Sequence, residues 1–186
     1  MPRQVLREWI ERLKPSVEKI TRHPWVVKYV PALSDPDLWH LNRHSTARAV
    51  AVGLFCGLVP GPLQVAGAIG LSLVWRANFP LAALTTLYTN PFTIVPLYLV
   101  AYEYGRLFFP DAPHANAVHP PAFESLTTYA PAVWEWMKSL GKPLALGILL
   151  LATTLAAVGY CAVRLAWRWH VVAAWRRRAR RRASAA

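Results

Sequence analysis

Residues 49–75 read Ala-Val-Ala-Val-Gly-Leu-Phe-Cys-Gly-Leu-Val-Pro-Gly-Pro-Leu-Gln-Val-Ala-Gly-Ala-Ile-Gly-Leu-Ser-Leu-Val-Trp, with no charge in 27 positions. That is longer than the ~20 residues a membrane-spanning helix needs. Pro60-Gly61-Pro62 stands near its middle. Each proline removes a backbone donor and blocks the preceding turn, so one straight helix is not expected. The halves, 49–59 and 62–75, would reach only about 17–21 Å as helices. Two half-helices joined by a turn fit better than one span. Lipid cannot satisfy the backbone of such a turn, so it must lie against protein or water. Gln64 is placed to hydrogen-bond it.

The next apolar block, 77–102, is interrupted in turn by Asn90-Pro91 and then Pro96. A residue before proline is pushed out of helical geometry. Asn90 suits a helix cap with Pro91 in the first turn, and Thr89 and Thr93 add hydroxyls there. Residues 91–109 would then reach about 28 Å. A third block, 143–163, is 21 uninterrupted residues, a plain span of about 31 Å. Residues 110–142, with Pro110, Pro113, Pro120 and Pro121, read as a near-neutral connection. Trp134 and Trp136 are expected at its membrane interface.

The bulk numbers agree with this reading. Apolar residues make up 55% of the 186 and charged residues 16%, against roughly 45–50% and ~25% for soluble domains. The net charge of +12 is segregated. Residues 1–48 carry nine Lys/Arg against five acids, and 164–182 carry eight Arg and no acid. The positive-inside rule then places both ends in the cytoplasm. Residues 3–22 have the spacing of a basic amphipathic helix, and the Arg176–Arg182 tail suits anionic phospholipids. No secretory signal is expected, because charges run through the first thirty residues. Nucleic-acid binding by the tail is not expected, since it directly follows a spanning helix.

Cytoplasmic ends require an even number of crossings. A re-entrant hairpin at 49–75 followed by crossings at 79–109 and 143–163 satisfies this and puts Arg76 at the cytoplasmic face. The alternative makes 49–75 a kinked span and 79–102 the hairpin. The fold class is therefore an all-α integral membrane protein, with broken or re-entrant helices plus two full transmembrane helices. Its regions are 1–42, 43–109, 110–142 and 143–186.

Polar groups inside the apolar stretch mark a candidate binding site. They are Gln64, Arg76, Asn78, Asn90 and Glu103. Arg76 would meet an anion, Asn78, Asn90 and Gln64 would order broken backbone, and Glu103, able to pair with Arg106, would carry a coupling proton. Helix capping and snorkelling are the competing roles for these residues. No Ser/His/Asp order, paired carboxylates or phosphate-binding glycine loop is visible, so no enzyme is expected. His40 and His44 lack acid or thiol neighbours, and no metal or cofactor is expected. Cys56 and Cys161 read as small buried fillers.

Three ordered elements carry a family resemblance. They are Gly57-Leu58-Val59-Pro60-Gly61-Pro62-Leu63-Gln64, Arg76-Ala77-Asn78-Phe79-Pro80, and Asn90-Pro91-Phe92-Thr93 with Pro96, Tyr98, Tyr102 and Gly105. Over residues 43–109 the chain resembles a bacterial inner-membrane family catalogued as domain of unknown function 2062. The resemblance implies a membrane location and a shared core, and no established activity. Fusions of relatives to glycosyltransferase-like domains point to envelope glycan work. Two functions are expected from the whole: transport or flipping of an anionic lipid-like substrate by a homo-oligomer, or a non-transporting scaffold for envelope glycan enzymes.

Overall fold

The structure is a computed structural model. It describes residues 38–39, 42–61, 63–115, 119–121 and 126–183, with side chains in the last segment for 128–173 and 175. The amphipathic stretch 3–22, His40, Pro62 and the side chains of the arginine tail lie outside the described residues.

All regular structure among the described residues is helical: α1 Arg43–Gly57, α2 Leu63–Trp75, α3 Phe79–Thr86, α4 Ile94–Arg106 and α5 Leu126–Ala183. Helix α1 starts at Arg43 rather than in the apolar run. Asn42 explains the start, because its side chain accepts from His44 N at 2.9 Å and Ser45 N at 2.8 Å. Such a cap satisfies donors that the first turn leaves orphaned. The helix ends at Gly57, and the turn Leu58–Gly61 follows, with Gly61 at φ 70°.

Helix α2 then returns along α1. Arg48 Nη1 donates to Trp75 O at 3.0 Å, so the start of α1 and the end of α2 lie at one level. Gly67 lies against the Cys56 sulfur. The expected break at 60–62 is therefore a helical hairpin, with arms of about 22 and 20 Å.

Helix α2 stops at Arg76, whose φ is 48°, and Ala77 N bonds back to Ser72 O at 2.9 Å. Asn78 caps α3, accepting from Leu81 N at 3.0 Å. Helix α3 packs on α1 and α2 and brings Tyr88 and Thr89 back to the hairpin turn. At Asn90 the side chain accepts from Phe92 N and Thr93 N at 2.9 and 3.1 Å. The break is as expected, but helix resumes only at Ile94.

Helix α4 has 13 residues, about 20 Å, short of the 28 Å expected of 91–109. Beyond Arg106 the chain leaves helix through successive turns to Ala112. Among the described residues one helix, α5, is long and apolar enough to cross a membrane: Thr128–Ala173 reaches a mean hydropathy of 2.1.

Residues 126–140 are helical, so the later part of the 110–142 connection carries helix. Pro131 lies inside this helix. Gly141, at φ 59° and ψ −141°, bends it sharply. Contacts on the two sides of Gly141 progress in opposite directions along α4. Before it, Tyr129 OH donates to Pro91 O at 2.9 Å, while Trp136 and Leu140 pack with Tyr102. After it, Pro143 meets Gly105, Gly147 meets Ala101, and Gly159 meets Leu54 and Val50. Trp136, expected at an interface, is a core residue at 8% exposure.

Two apolar clusters hold the helices together. Leu58, Tyr98, Ala101, Tyr102, Trp136, Leu140, Leu144, Leu151 and Ala152 form one. Ala49, Val52, Cys56, Ala68, Ala77 and Ala82 form the other. Cys56 is buried as expected, whereas Cys161 is exposed on α5, and both are free.

Candidate functional site

The hairpin turn is the place where backbone groups are hardest to satisfy. Three side chains from later in the chain meet carbonyls of the last turn of α1 and of the hairpin turn. Tyr88 OH donates to Leu54 O at 2.8 Å, Thr89 Oγ1 to Gly57 O at 2.6 Å, and Tyr98 OH to Leu58 O at 2.9 Å. Tyr98 is fully buried. Gln64, expected to do this work, stands beside it, with Oε1 3.2 Å from Thr89 Oγ1. The two tyrosines were missed because an aromatic in an apolar run reads as core. Their hydroxyls, which need a partner when buried, were the available signal.

The turn lies at intermediate depth along α5. Leu58 packs with Leu151 and Ala152, about 14 Å of helix from Pro143 and 18 Å from Arg164. Here the turn, the Asn90-Pro91 break and the first part of α5 border an open cavity of about 550 Å³. Gln64, Thr89 and Asn90 give it polar groups, and Leu63, Ile94, Val133, Trp134 and Met137 give it an apolar wall. No charged side chain among the described residues lines it. Discontinuous helices meeting at mid-depth are the geometry of many carrier sites.

Two of the five expected site residues, Gln64 and Asn90, share this cavity. Arg76 and Asn78 do not. The length of α2 separates Arg76 from Gln64, about 18 Å. Arg76 instead lines a second groove with Arg48, Ala51, Val74, Trp75 and Tyr160, about 460 Å³ in volume. Asn78 is buried at 3% exposure and serves as the α3 cap.

Glu103 lies at the far end of the molecule. Its Oε2 accepts from Arg106 Nε at 2.8 Å and its Oε1 from Ala115 N at 2.6 Å, with His114 Nδ1 3.7 Å away. The pairing with Arg106 is the expected one. Oε2 pairs within α4, and Oε1 ties Ala115, in the segment after α4, to the helix, which gives Glu103 a structural task.

Charge is divided between the ends. Arg43, Arg48, Arg76, Arg164 and Arg168 border the grooves at the Arg76 end. The described carboxylates, Glu103, Asp111 and Glu135, belong to the opposite half. No group of three or more His, Cys, Asp or Glu able to hold a metal occurs among the described residues.

No curated protein and no solved structure matches the chain. A family model described as an uncharacterized protein conserved in bacteria, DUF2062, matches residues 29–176. The match extends well beyond the 43–109 core on both sides, taking in the bent helix α5, and the chain belongs to that family.

Proposed function

We propose that the protein is a multi-pass protein of the bacterial inner membrane, with both termini cytoplasmic, that moves an anionic lipid-like substrate between leaflets. The observation that carries this reading is the 550 Å³ cavity where the hairpin turn meets the Asn90-Pro91 break. Its apolar wall suits lipid chains, and Gln64, Thr89 and Asn90 offer neutral hydrogen-bonding groups to a headgroup in transit.

Membrane residence has its own support. Large apolar side chains are exposed all around the helices: Leu63, Val74, Leu84, Phe92, Val100, Leu149 and Val158 each exceed half exposure. A contiguous apolar surface of that kind needs lipid or a partner. Only 17% of the most apolar window in α5 is buried inside the protein, unlike the core helix of a soluble fold. From the level of Arg164 to that of Pro143 is about 31 Å along α5, the thickness of a hydrocarbon core. On this reading α1 and α2 enter from the cytoplasmic side and return. The cavity is open along one side, so a closed path needs a second copy, and a homo-oligomer is part of the proposal.

The test is flipping of a fluorescent anionic phospholipid in proteoliposomes, read by quenching from outside. Wild-type protein should exceed protein-free vesicles, and Gln64→Ala with Asn90→Ala should reduce the rate. Flipping no faster than in empty vesicles, or a double variant as fast as wild type, rejects the reading. So does a protein that stays strictly monomeric in mild detergent and in the bilayer.

A further inference from the structure

The side chains around the cavity at the hairpin turn present hydrogen-bond donors. Both amides on it have turned their oxygens into the protein. Gln64 Oε1 meets the Thr89 hydroxyl at 3.2 Å. Asn90 Oδ1 accepts from Phe92 N at 2.9 Å and from Thr93 N at 3.1 Å. An amide carries two donors on its nitrogen and its acceptor on its oxygen. What Gln64 and Asn90 leave for the cavity is therefore NH2, and neither nitrogen meets an acceptor among the described residues. Trp134, 51% exposed on the same wall, adds an indole N–H, which can only donate.

Carbonyls at the turn and at the break are already answered from within the protein. Thr89 Oγ1 donates to Gly57 O, Tyr98 OH to Leu58 O, Tyr129 OH to Pro91 O, and Ile94 N to Asn90 O. The site thus holds a surplus of donors, and no charged side chain among the described residues lines it. An ammonium brought here would meet N–H groups and no carboxylate, and a charge removed from water without a partner is costly. Phosphate oxygens would be answered instead. Hydrogen bonds to an ionised oxygen are the stronger kind, and they strengthen further away from bulk water.

We propose that this cavity selects phospholipids whose headgroup carries no ammonium, holding the phosphate through the amide nitrogens of Gln64 and Asn90. The selection rests on the reading above for a bilayer and for a headgroup in the cavity, and it adds which headgroups are admitted. Asn90 sets it, because the oxygen of its side chain holds the helix break while the nitrogen meets the ligand. Aspartate at this position would keep the first task and reverse the second.

The experiment is thermal unfolding of the full-length protein in mild detergent, titrated with phosphatidylglycerol or phosphatidylethanolamine of the same chains. Phosphatidylglycerol should raise Tm saturably and at lower concentration than phosphatidylethanolamine. Gln64→Leu removes donors without adding charge and leaves Thr89 its bond to Gly57 O. It should need on the order of tenfold more phosphatidylglycerol, the loss expected for one hydrogen bond to a charged group. Asn90→Asp still accepts from Phe92 N and Thr93 N. It should weaken the response to phosphatidylglycerol and strengthen that to phosphatidylethanolamine. Where the aspartate variant does not fold, Gln64→Glu makes the same reversal on the other amide.

Equal half-saturation by the two lipids in wild type overturns the proposal. So does an unchanged phosphatidylglycerol response in Gln64→Leu. A loss confined to the carboxylate variants is charge repulsion alone and overturns it too. The titration is made in micelles and needs no transport. Flipping at the rate of empty vesicles, with the titration as expected, rejects transport and leaves the donor site standing. Flipping of both lipids at one rate, with equal half-saturation, rejects the selection and leaves transport standing.

Discussion

Gly105 on α4 and Gly147 on α5 face each other at the point where the two backbones touch. A Cβ on Gly105 would overlap Pro143 O, and one on Gly147 would overlap Ala101 O. Ala101 and Gly105 are four apart, as are Pro143 and Gly147, so each glycine faces a backbone carbonyl one turn from the other. On the membrane reading proposed above, lipid offers no hydrophobic drive to press helices together, and close backbone approach supplies the packing instead. Because the overlapping atoms are backbone, neither helix can yield by turning a rotamer. Gly147→Ala should therefore cost about 1–3 kcal/mol, the range for overpacking. Gly70, with open space around it, is the control: Gly70→Ala should be neutral or stabilising by up to about 1 kcal/mol. Thermal unfolding of the two variants side by side checks this, and equal Tm values would show that α4 and α5 do not cross here.

Tyr98 fixes the depth of the hairpin turn. Its hydroxyl is fully buried and donates to Leu58 O. Tyr98→Phe keeps the ring and leaves that carbonyl without its donor, at a cost of about 1–3 kcal/mol. The turn should also become more reachable. A cysteine at Val59 should react faster with a small thiol reagent in the Tyr98→Phe background. Unchanged reactivity would mean that the turn is held by packing alone.

What could be read in advance follows from which groups speak locally. Pro60-Gly61 and Asn90-Pro91 act on their own few neighbours, so the breaks were legible before any coordinates, whereas the cap at Asn78 was not read and α4 is capped at Thr93, not at Asn90. The helix at 126–140 was not, because prolines and charges in the surrounding segment read as a connection. Its signal was present in Tyr129, Val133, Trp136 and Leu140, spaced at helical intervals and all buried. The division of the candidate site was also legible in principle. Gln64 and Arg76 bracket α2, and a helix of that length holds its ends apart. Which residues answer the turn's carbonyls depends on tertiary contact between Tyr98 and Leu58, forty positions apart, and no local rule supplies that.

Asn78 separates a capping role from a ligand role. Its side chain accepts from Leu81 N, and the residue is buried at 3% exposure. Loss of the cap in Asn78→Ala should cost about 1 kcal/mol. Serine is an equally good cap but cannot offer an amide to a ligand. Asn78→Ser should thus restore both Tm and lipid flipping. A serine variant that is stable yet inactive would return Asn78 to the list of substrate contacts.

His44 reports on the basic end through its proton. It lies in the first turn of α1, ahead of the apolar run that starts at Ala49. Partial removal of water from the ring lowers its pKa below the ordinary 6.5, and the charges of Arg43, Arg164 and Arg48 lower it further. Its Nε2 accepts from Arg43 Nε at 2.9 Å, which requires the neutral form of that nitrogen. The unfolded chain then takes up a proton near pH 6.5 while the folded chain does not. Fewer protons bound in the native state means that stability rises with pH. The contribution is lost as pH falls from about 6.5 toward the lowered native value, and it is level above that. Tm measured between pH 5 and 7.5 should therefore decline toward acid more steeply in wild type than in His44→Gln. A decline that is equally steep in both proteins would mean that the guanidinium charges do not converge on this ring.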